Sequence, residues 1–310
     1  MRVPRCESYS RYTGLVRRLI INADDFGLTM GVNRAIVEAH QQGAVTSATI
    51  MANAGAVDDA ITRARDAGLS VGCHLVLIDG HPLLRPQPVP SLLGGNRSCF
   101  HDGWLGFAAG ALCKRFDDAQ IANEVSAQIR RIQQHGLRLT HVDSHKHIHL
   151  LPQVLAPILK AATACGIRAI RNPFAPIKPL ALAHLLRRPR LWTRYTEINL
   201  LRHFSRHFRE AVAAAGMVTT HGTFGIVLTG ALDERLFAAI VSSIPEGTWE
   251  FVCHPGYCDA DLRSVRTRLR ESREHELRVL TSPAARRSID AAGIELISYA
   301  DLQSSDRVVD

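Results

Sequence analysis

Lysine is nearly missing from this sequence. Its 310 residues hold 33 arginines against four lysines, so the net charge of +8 is an arginine charge. Such a bias often follows genome composition, and alone it assigns neither a nucleic-acid nor a membrane partner. Paired cysteines are missing too. Cys6, Cys73, Cys99, Cys113, Cys165, Cys253 and Cys258 are odd in number and scattered, with no C-x-x-C spacing. That pattern indicates neither a disulfide framework nor a thiolate zinc site. No apolar run reaches the roughly 18–20 residues that cross a bilayer. Met1 to Arg18 carries five arginines but no apolar stretch with a small-residue cleavage site. A secretory signal is therefore not expected, and the expected setting is soluble and cytoplasmic. Internal repeats and low-complexity segments are also lacking.

What is present is apolar residues, 46% of the chain, with 22 Gly and 14 Pro. That content supports a large core, and an α/β barrel of roughly 250 residues is a single domain. Short β-like runs alternate with amphipathic helices, the pattern of a parallel α/β fold. Strands are expected at Leu19–Ala23, Thr46–Ala52, Leu69–Leu77, Leu139–Ser144, Ile167–Arg171, Gly225–Leu228, Trp249–Cys253 and Ile294–Tyr299. Helices are expected at Val32–Gln42, Val57–Ala67, Ala119–His135 (capped by Asp118), Pro152–Ala164 and Glu234–Ser243, with helical stretches in Leu262–Ala292. Seven to eight parallel strands without a compositional break point to one distorted TIM-like barrel. The expected division is an extension over 1–18, the barrel over 19–302 and a tail over 303–310.

One stretch interrupts the rhythm. Lys178–Arg209 carries Lys178, Arg187, Arg188, Arg190, Arg194, Arg202, Arg206 and Arg209 against the single acid Glu197, within an insertion of about 178–215. Leu200, Phe204, Phe208 and Val212 recur at i+4, which gives one helix an apolar stripe and a basic face. The stripe fits a core-facing helix with a solvated side. It also fits a lid resting on an anionic or lipid surface.

Three clusters, each at the C-terminal end of an expected strand, bear chemistry. In Asn22-Ala23-Asp24-Asp25-Phe26-Gly27, two adjacent carboxylates repel each other unless positive charge sits beside them. A divalent cation supplies that charge; a turn or helix cap is the plainer reading. His74 lies in an otherwise apolar strand, where a histidine is either a hydrogen-bonded core residue or a ligand. In His141-Val142-Asp143-Ser144-His145-Lys146-His147-Ile148-His149, the odd-numbered members share one face for as long as the strand stays extended. Five such polar groups do not make an ordinary core. His254, in His254-Pro255-Gly256-Tyr257, closes a later strand at the same rim. Histidine nitrogen and aspartate oxygen are the donors that a catalytic Zn²⁺ or a harder ion takes from a protein. Catalytic residues of a barrel gather at these strand ends.

The runs IINADDFGLTMGVNRAIVEAHQQGAVTSATIMAN, VGCHLVL, THVDSHKHIHL and FVCHPGY, in this order, resemble the YdjC-like (ChbG-type) carbohydrate deacetylases, and within them the hopanoid-biosynthesis branch. The resemblance runs from about Leu19 to Leu302. It implies a distorted TIM-like barrel and hydrolysis of the N-acetyl group of an amino sugar, an N-acetylglucosaminyl hopanoid lipid in that branch. Carried over motif by motif, it implies Asp24 as general base acting on a water activated by the ion, and Asp25, His74 and His145 as metal ligands. His254 is implied as the general acid. Asn22, Asp143, Ser144, His147 and His149 are expected to orient those groups or touch substrate. The resemblance implies Mg²⁺, whereas the donor chemistry suits Zn²⁺. Cys73 and Thr29 depart from the family pattern without touching an implied ligand, and Lys178–Arg209 is poorly covered by it. Peripheral membrane contact through 178–209 and a homodimer are further expectations. The alternatives are a barrel glycoside hydrolase, whose two carboxylates flank the scissile bond about 5 Å or more apart, and a basic nucleic-acid-binding protein, whose binding weakens steeply with salt. Neither alternative accounts for histidines gathered at strand ends.

Overall fold

The computed structural model describes residues 16–95, 97–174 and 201–302. The expectations for the 1–18 extension (as far as 15), for 175–200 of the Arg-rich segment and for the 303–310 tail lie outside these residues. The described chain forms one α/β domain. Its strands are β1 (Arg17–Phe26), β2 (Ser47–Ile50), β3 (Ser70–Leu75), β4 (Leu139–Ser144), β5 (Ala169–Ile170), β6 (Thr223–Phe224), β7 (Gly247–Cys253) and β8 (Ile294–Leu296).

All strand pairs are parallel, in the order β5-β4-β3-β2-β1-β7-β6. β8 is off this path and pairs only with Arg17–Leu19 of β1. β7 therefore lies directly against β1, where a regular eight-stranded barrel would insert β8. This displacement is the distortion, and seven strands curl into a half-barrel. A single bridge, Ala169 to Val218, links the β5 edge to the segment that leads into β6. β1 is the most enclosed strand: Leu19, Ile20, Ile21, Ala23 and Phe26 are fully buried. A strand buried on both faces reads as a continuous apolar run, as LIINA does.

Helices α1 (Met30–Gln41), α2 (Val57–Ala67), α3 (Trp104–Leu112), α4 (Asp118–Gln133) and α5 (Pro152–Ala164) cover the first half. Four local expectations change. Asp117, not Asp118, caps α4, its side chain accepting from the Gln120 N–H. Both residues are good caps, so the sequence did not separate them. The strand expected at Gly225–Leu228 is β6, two residues earlier. Gly225 takes φ +93° to pass close under the Val252 carbonyl, and Ile226–Leu228 is a single 3-10 turn. α3 was not anticipated, because WLGFAAGAL lacks the polar face that marks a surface helix. Finally, β4 ends at Ser144. Lys146 and His147 adopt left-handed φ of 56° and 55° inside the turn His145–Leu150. The histidine run therefore does not continue as one extended face.

Candidate metal centre

Successive strand residues point to opposite faces, so Asp24 and Asp25 should not share a pocket. A kink brings them together. The β1–β2 register shifts between Ala23 and Phe26, and Asp25 takes φ 66°. A non-glycine residue holds that conformation only where its surroundings impose it, and such strain collects at functional sites. Hydrogen bonds from Leu28 N to the Asp25 carbonyl (3.0 Å) and from Gly27 N to Asn33 Oδ1 (2.7 Å) fix the turn.

His74 is the last but one residue of β3 and stands opposite Asp143 in the β3–β4 register. Its Nδ1 lies 2.9 Å from Asp143 Oδ1, which places the proton on Nδ1 and leaves Nε2 free. That Nε2 is 3.5 Å from Asp25 Oδ1, and His145 Nδ1 is 3.6 Å from the same oxygen. Ligands about 2.1 Å from a tetrahedral ion stand about 3.4 Å apart. Donor atoms of Asp25, His74 and His145 all lie within 4.8 Å of one another. Asp25 and His74 are buried while His145 is half-buried at the rim, so the set has an open side.

The charge around the pocket favours a cation. Buried Asp24, Asp25, Asp143, Glu250 and Glu276 surround two buried guanidiniums, Arg171 and Arg273. Burial opposes charge on His74, yet Asp143 with Asp24 and Asp25 lifts it to about 9. An ion-free pocket thus keeps a proton there as substitute charge. Burial also works against ionised Asp25, but Arg273 (Nη2 to Oδ2 2.5 Å) and His145 outweigh it and hold the carboxyl well below the usual range.

Asp24 is locked differently. The Arg171 fork donates to both its oxygens, Nη1 to Oδ2 at 2.8 Å and Nη2 to Oδ1 at 2.7 Å. Asn22 Nδ2 adds a bond at 3.0 Å. Burial raises its pKa and Arg171 lowers it, and Arg171 prevails by a wide margin. Asp24, His74 and Asp143 form a second group of possible donors, but Arg171 already occupies its carboxylates. The open set is Asp25, His74 and His145.

His254 follows β7, with Nε2 3.9 Å from Asp24 Oδ2 and Nδ1 4.0 Å from Glu276 Oε2. Its backbone N–H donates to Glu276 Oε2 at 2.6 Å. Burial lowers its pKa more than Glu276, Asp24 and Asp25 raise it, so it rests below the ordinary histidine value. Ser144 Oγ lies 2.6 Å from His149 Nδ1, and His149 Nε2 lies 3.2 Å from the Arg171 carbonyl. His149 therefore holds the backbone that carries Arg171, away from the donor set. His147 Nδ1 is buried with no hydrogen-bond partner among the described residues, and His141 stacks on Tyr299 at 3.5 Å.

Sequence reasoning missed Arg171, Glu250, Arg273, Glu276 and Thr49. Arg171 is fully buried and also reaches Asp143 (2.5 Å) and Glu250 (2.7 Å). Thr49 Oγ1 donates to Asp143 Oδ2 at 3.2 Å. The signal available was a charge inside an apolar strand: the Arg that ends RAIR and the Glu in WEFVC. Arg273 and Glu276 lie in a helix with no such mark.

Fold and site together define a class: a parallel α/β barrel with an Asp-His-His donor set and an arginine-locked carboxylate at its C-terminal strand ends. Residues 18–291 match the YdjC-like protein family, and the chain belongs to it. It is 33% identical over 287 residues to a carbohydrate deacetylase of Geobacillus stearothermophilus, covering 92% of this chain and 98% of that protein. A carbohydrate deacetylase of Vibrio campbellii is 30% identical over 293 residues, covering 93% and 97%. A solved structure from Enterococcus faecalis V583, provisionally named a cellobiose-phosphate cleavage protein, superposes with a TM-score of 0.73 at 25% identity. That match covers 92% of this chain and 98% of the other.

Proposed function

We propose that this protein is a metal-dependent hydrolase that removes the N-acetyl group from an acetylated amino sugar and releases acetate. The observation that carries the reading is the convergence of Asp25, His74 and His145 on one point, with His74 oriented by Asp143. A divalent cation held by these three would polarise the acetamide carbonyl and lower the pKa of a water molecule. Asp24, ionised because Arg171 grips it, is fixed in place to accept the proton of the attacking water. His254, neutral at rest and 3.9 Å from Asp24, takes up that proton from Asp24 and passes it to the departing amine nitrogen. The water oxygen joins the acetyl carbon, the C–N bond breaks, and the water's proton ends on the amine. Arg171 and Arg273 hold both aspartates ionised until Asp24 takes the water's proton.

A glycoside hydrolase fits less well, because its acid needs a carboxyl with a raised pKa. Asp24 and Asp25 are both lowered. Glu250 is raised by its burial, but Arg171, Thr223 and Tyr299 occupy it in the interior.

The finer reading rests on the sequence resemblance: a lipid-linked N-acetylglucosaminyl hopanoid as substrate, met by a cytoplasmic protein, with Mg²⁺ or Zn²⁺ as the ion. Peripheral contact through 178–209 and a homodimer belong to the same proposal. Acetate release from acetylated amino sugars, soluble and lipid-linked, tests it with and without a chelator. Chelator-sensitive acetate is expected. Release that persists without divalent ions overturns the metal-dependent reading. In Asp24→Asn, turnover should fall roughly 10²–10⁴-fold, and wild-type turnover would remove Asp24 from its role as base.

A further inference from the structure

We infer that Glu276 is a positioning residue for His254, fixing the ring proton on Nδ1 so that Nε2 stands free toward Asp24. The inference rests on the deacetylase reading and adds to it the group that prepares the proton carrier. Glu276 is a buried carboxylate that no step above uses. It lies 2% exposed in the helix Glu271–Thr281. Its Oε2 accepts the His254 backbone N–H at 2.6 Å, and its Oε1 accepts the Gly230 N–H at 3.1 Å. One side chain thereby clamps the end of β7 to the loop after β6. Two backbone donors offset part of the cost of burying a carboxylate. They leave its charge free to act on the ring beside it.

The His254 ring stands between two carboxylates at nearly equal distances. Nδ1 lies 4.0 Å from Glu276 Oε2, and Nε2 lies 3.9 Å from Asp24 Oδ2. A neutral imidazole has one N–H to offer and must turn a lone pair toward the other carboxylate. Distance does not choose between them, but their partners do. The Arg171 fork donates to both Asp24 oxygens, and Asn22 adds a third bond. Glu276 forms no ion pair with an arginine or lysine among the described residues, although Arg268 feels its charge at longer range. Asp24 and Asp25 of β1 and Arg273 and Glu276 of the helix are the charges that face the ring, and Glu276 attracts a proton to it most strongly. Nδ1 is buried with no hydrogen-bond partner among the described residues, so a lone pair there would face an anion unrelieved. The less neutralised anion takes the N–H, and the lone pair faces Asp24.

That tautomer is the one the reaction needs. Asp24 holds the proton taken from the attacking water, and only an unprotonated Nε2 can receive it. The ring is then an imidazolium whose Nδ1–H faces the Glu276 carboxylate, which offsets the new charge. Nε2 gives its proton to the departing amine nitrogen, the Nδ1 proton stays in place, and the ring returns to its starting form. A ring that began with its proton on Nε2 would have no lone pair to offer Asp24. Glu276 touches neither substrate nor metal ligand in this scheme and acts through His254 alone.

The test reads the tautomer directly. Two-bond ¹⁵N–¹H correlation spectra of the full chain with ¹⁵N-labelled histidine are recorded at pH 8, with and without Zn²⁺, and the His254 ring is assigned by its loss in His254→Gln. Wild type should show Nδ1 protonated and Nε2 bare. Glu276→Gln keeps the size of the side chain but not its charge, and its His254 ring should move toward the Nε2–H form. Its kcat for acetate release should fall about 10-fold or more, toward the 10²–10⁴-fold that a proton-transfer residue supplies, with KM and bound metal unchanged. An Nε2–H ring in wild type overturns the inference, and that result stands even if Glu276→Gln does not fold. A folded Glu276→Gln variant with the wild-type tautomer or the wild-type kcat also overturns it, because Glu276 would then be a backbone clamp only. Wild type that releases no acetate from any acetylated amino sugar sinks the deacetylase reading instead, and the spectra still decide whether Glu276 sets the His254 ring.

Discussion

Arg171→Met removes one cation from among three buried carboxylates. Arg171 has no exposed surface and contacts Asp24 (2.7 and 2.8 Å), Asp143 (2.5 Å) and Glu250 (2.7 Å). Breaking a buried pair by deleting one partner costs about 3–5 kcal/mol, because the remaining charge is left uncompensated. Three anions share this cation, which places the loss near the upper end, and protonation of the acids limits it. A domain with about 5–15 kcal/mol of stability would lose a third or more. The sign with pH follows. Without Arg171, the carboxylates have folded-state pKa values above their unfolded ones, so the variant is destabilised further as pH rises. Urea unfolding followed by circular dichroism should show a larger gap from wild type at pH 8 than at pH 5. A gap below about 1 kcal/mol, or one that shrinks as pH rises, refutes the claim that Arg171 balances this cluster.

Asp143→Asn should weaken binding of a divalent ion about 10–100-fold, the usual loss when a carboxylate that hydrogen-bonds a ligating histidine is removed; calorimetric titration that finds unchanged affinity disproves the orienting role. His149 is held at about 3, its burial reinforced by Arg171, against an unperturbed 6.5. Its contribution to stability is complete above pH 6.5 and is lost as pH falls toward 3, by about 1.4 kcal/mol per pH unit. The urea midpoint should accordingly drop faster with acid in wild type than in His149→Gln, and parallel curves would contradict the assignment. Gly72→Ala would bring a Cβ to 2.6 Å from the His141 ring and carbonyl. Overpacking of that kind costs about 1–3 kcal/mol, to be read from the same unfolding curves; an unchanged midpoint would mean that β3 and β4 separate easily.

Periodicity made the barrel legible, because apolar runs such as LIINA and helix faces such as that of Val57–Ala67 are local signals. β8 was visible as a strand but its displacement was not: pairing with three residues of β1 is a tertiary outcome. In the site, Asp24, Asp25, His74 and His145 were readable as polar residues at the ends of apolar strands. That two neighbouring aspartates reach the same histidine depends on the left-handed Asp25, which no residue type announces. The charges that govern them were the least legible. Arg171 comes 147 positions after Asp24 and Arg273 comes 248 after Asp25, so neither is visible as a partner in sequence. The five-member histidine face failed for a local reason, two consecutive left-handed residues just after the strand.

Metal content after dialysis, measured by mass spectrometry on wild type and on folded Asp25→Ala, His74→Ala and His145→Ala variants, tests the central claim most directly. Wild type and Asp24→Asn should retain about one divalent ion per chain, and each of the three ligand variants should lose it. Ion retained at wild-type level by His74→Ala and His145→Ala would contradict the account.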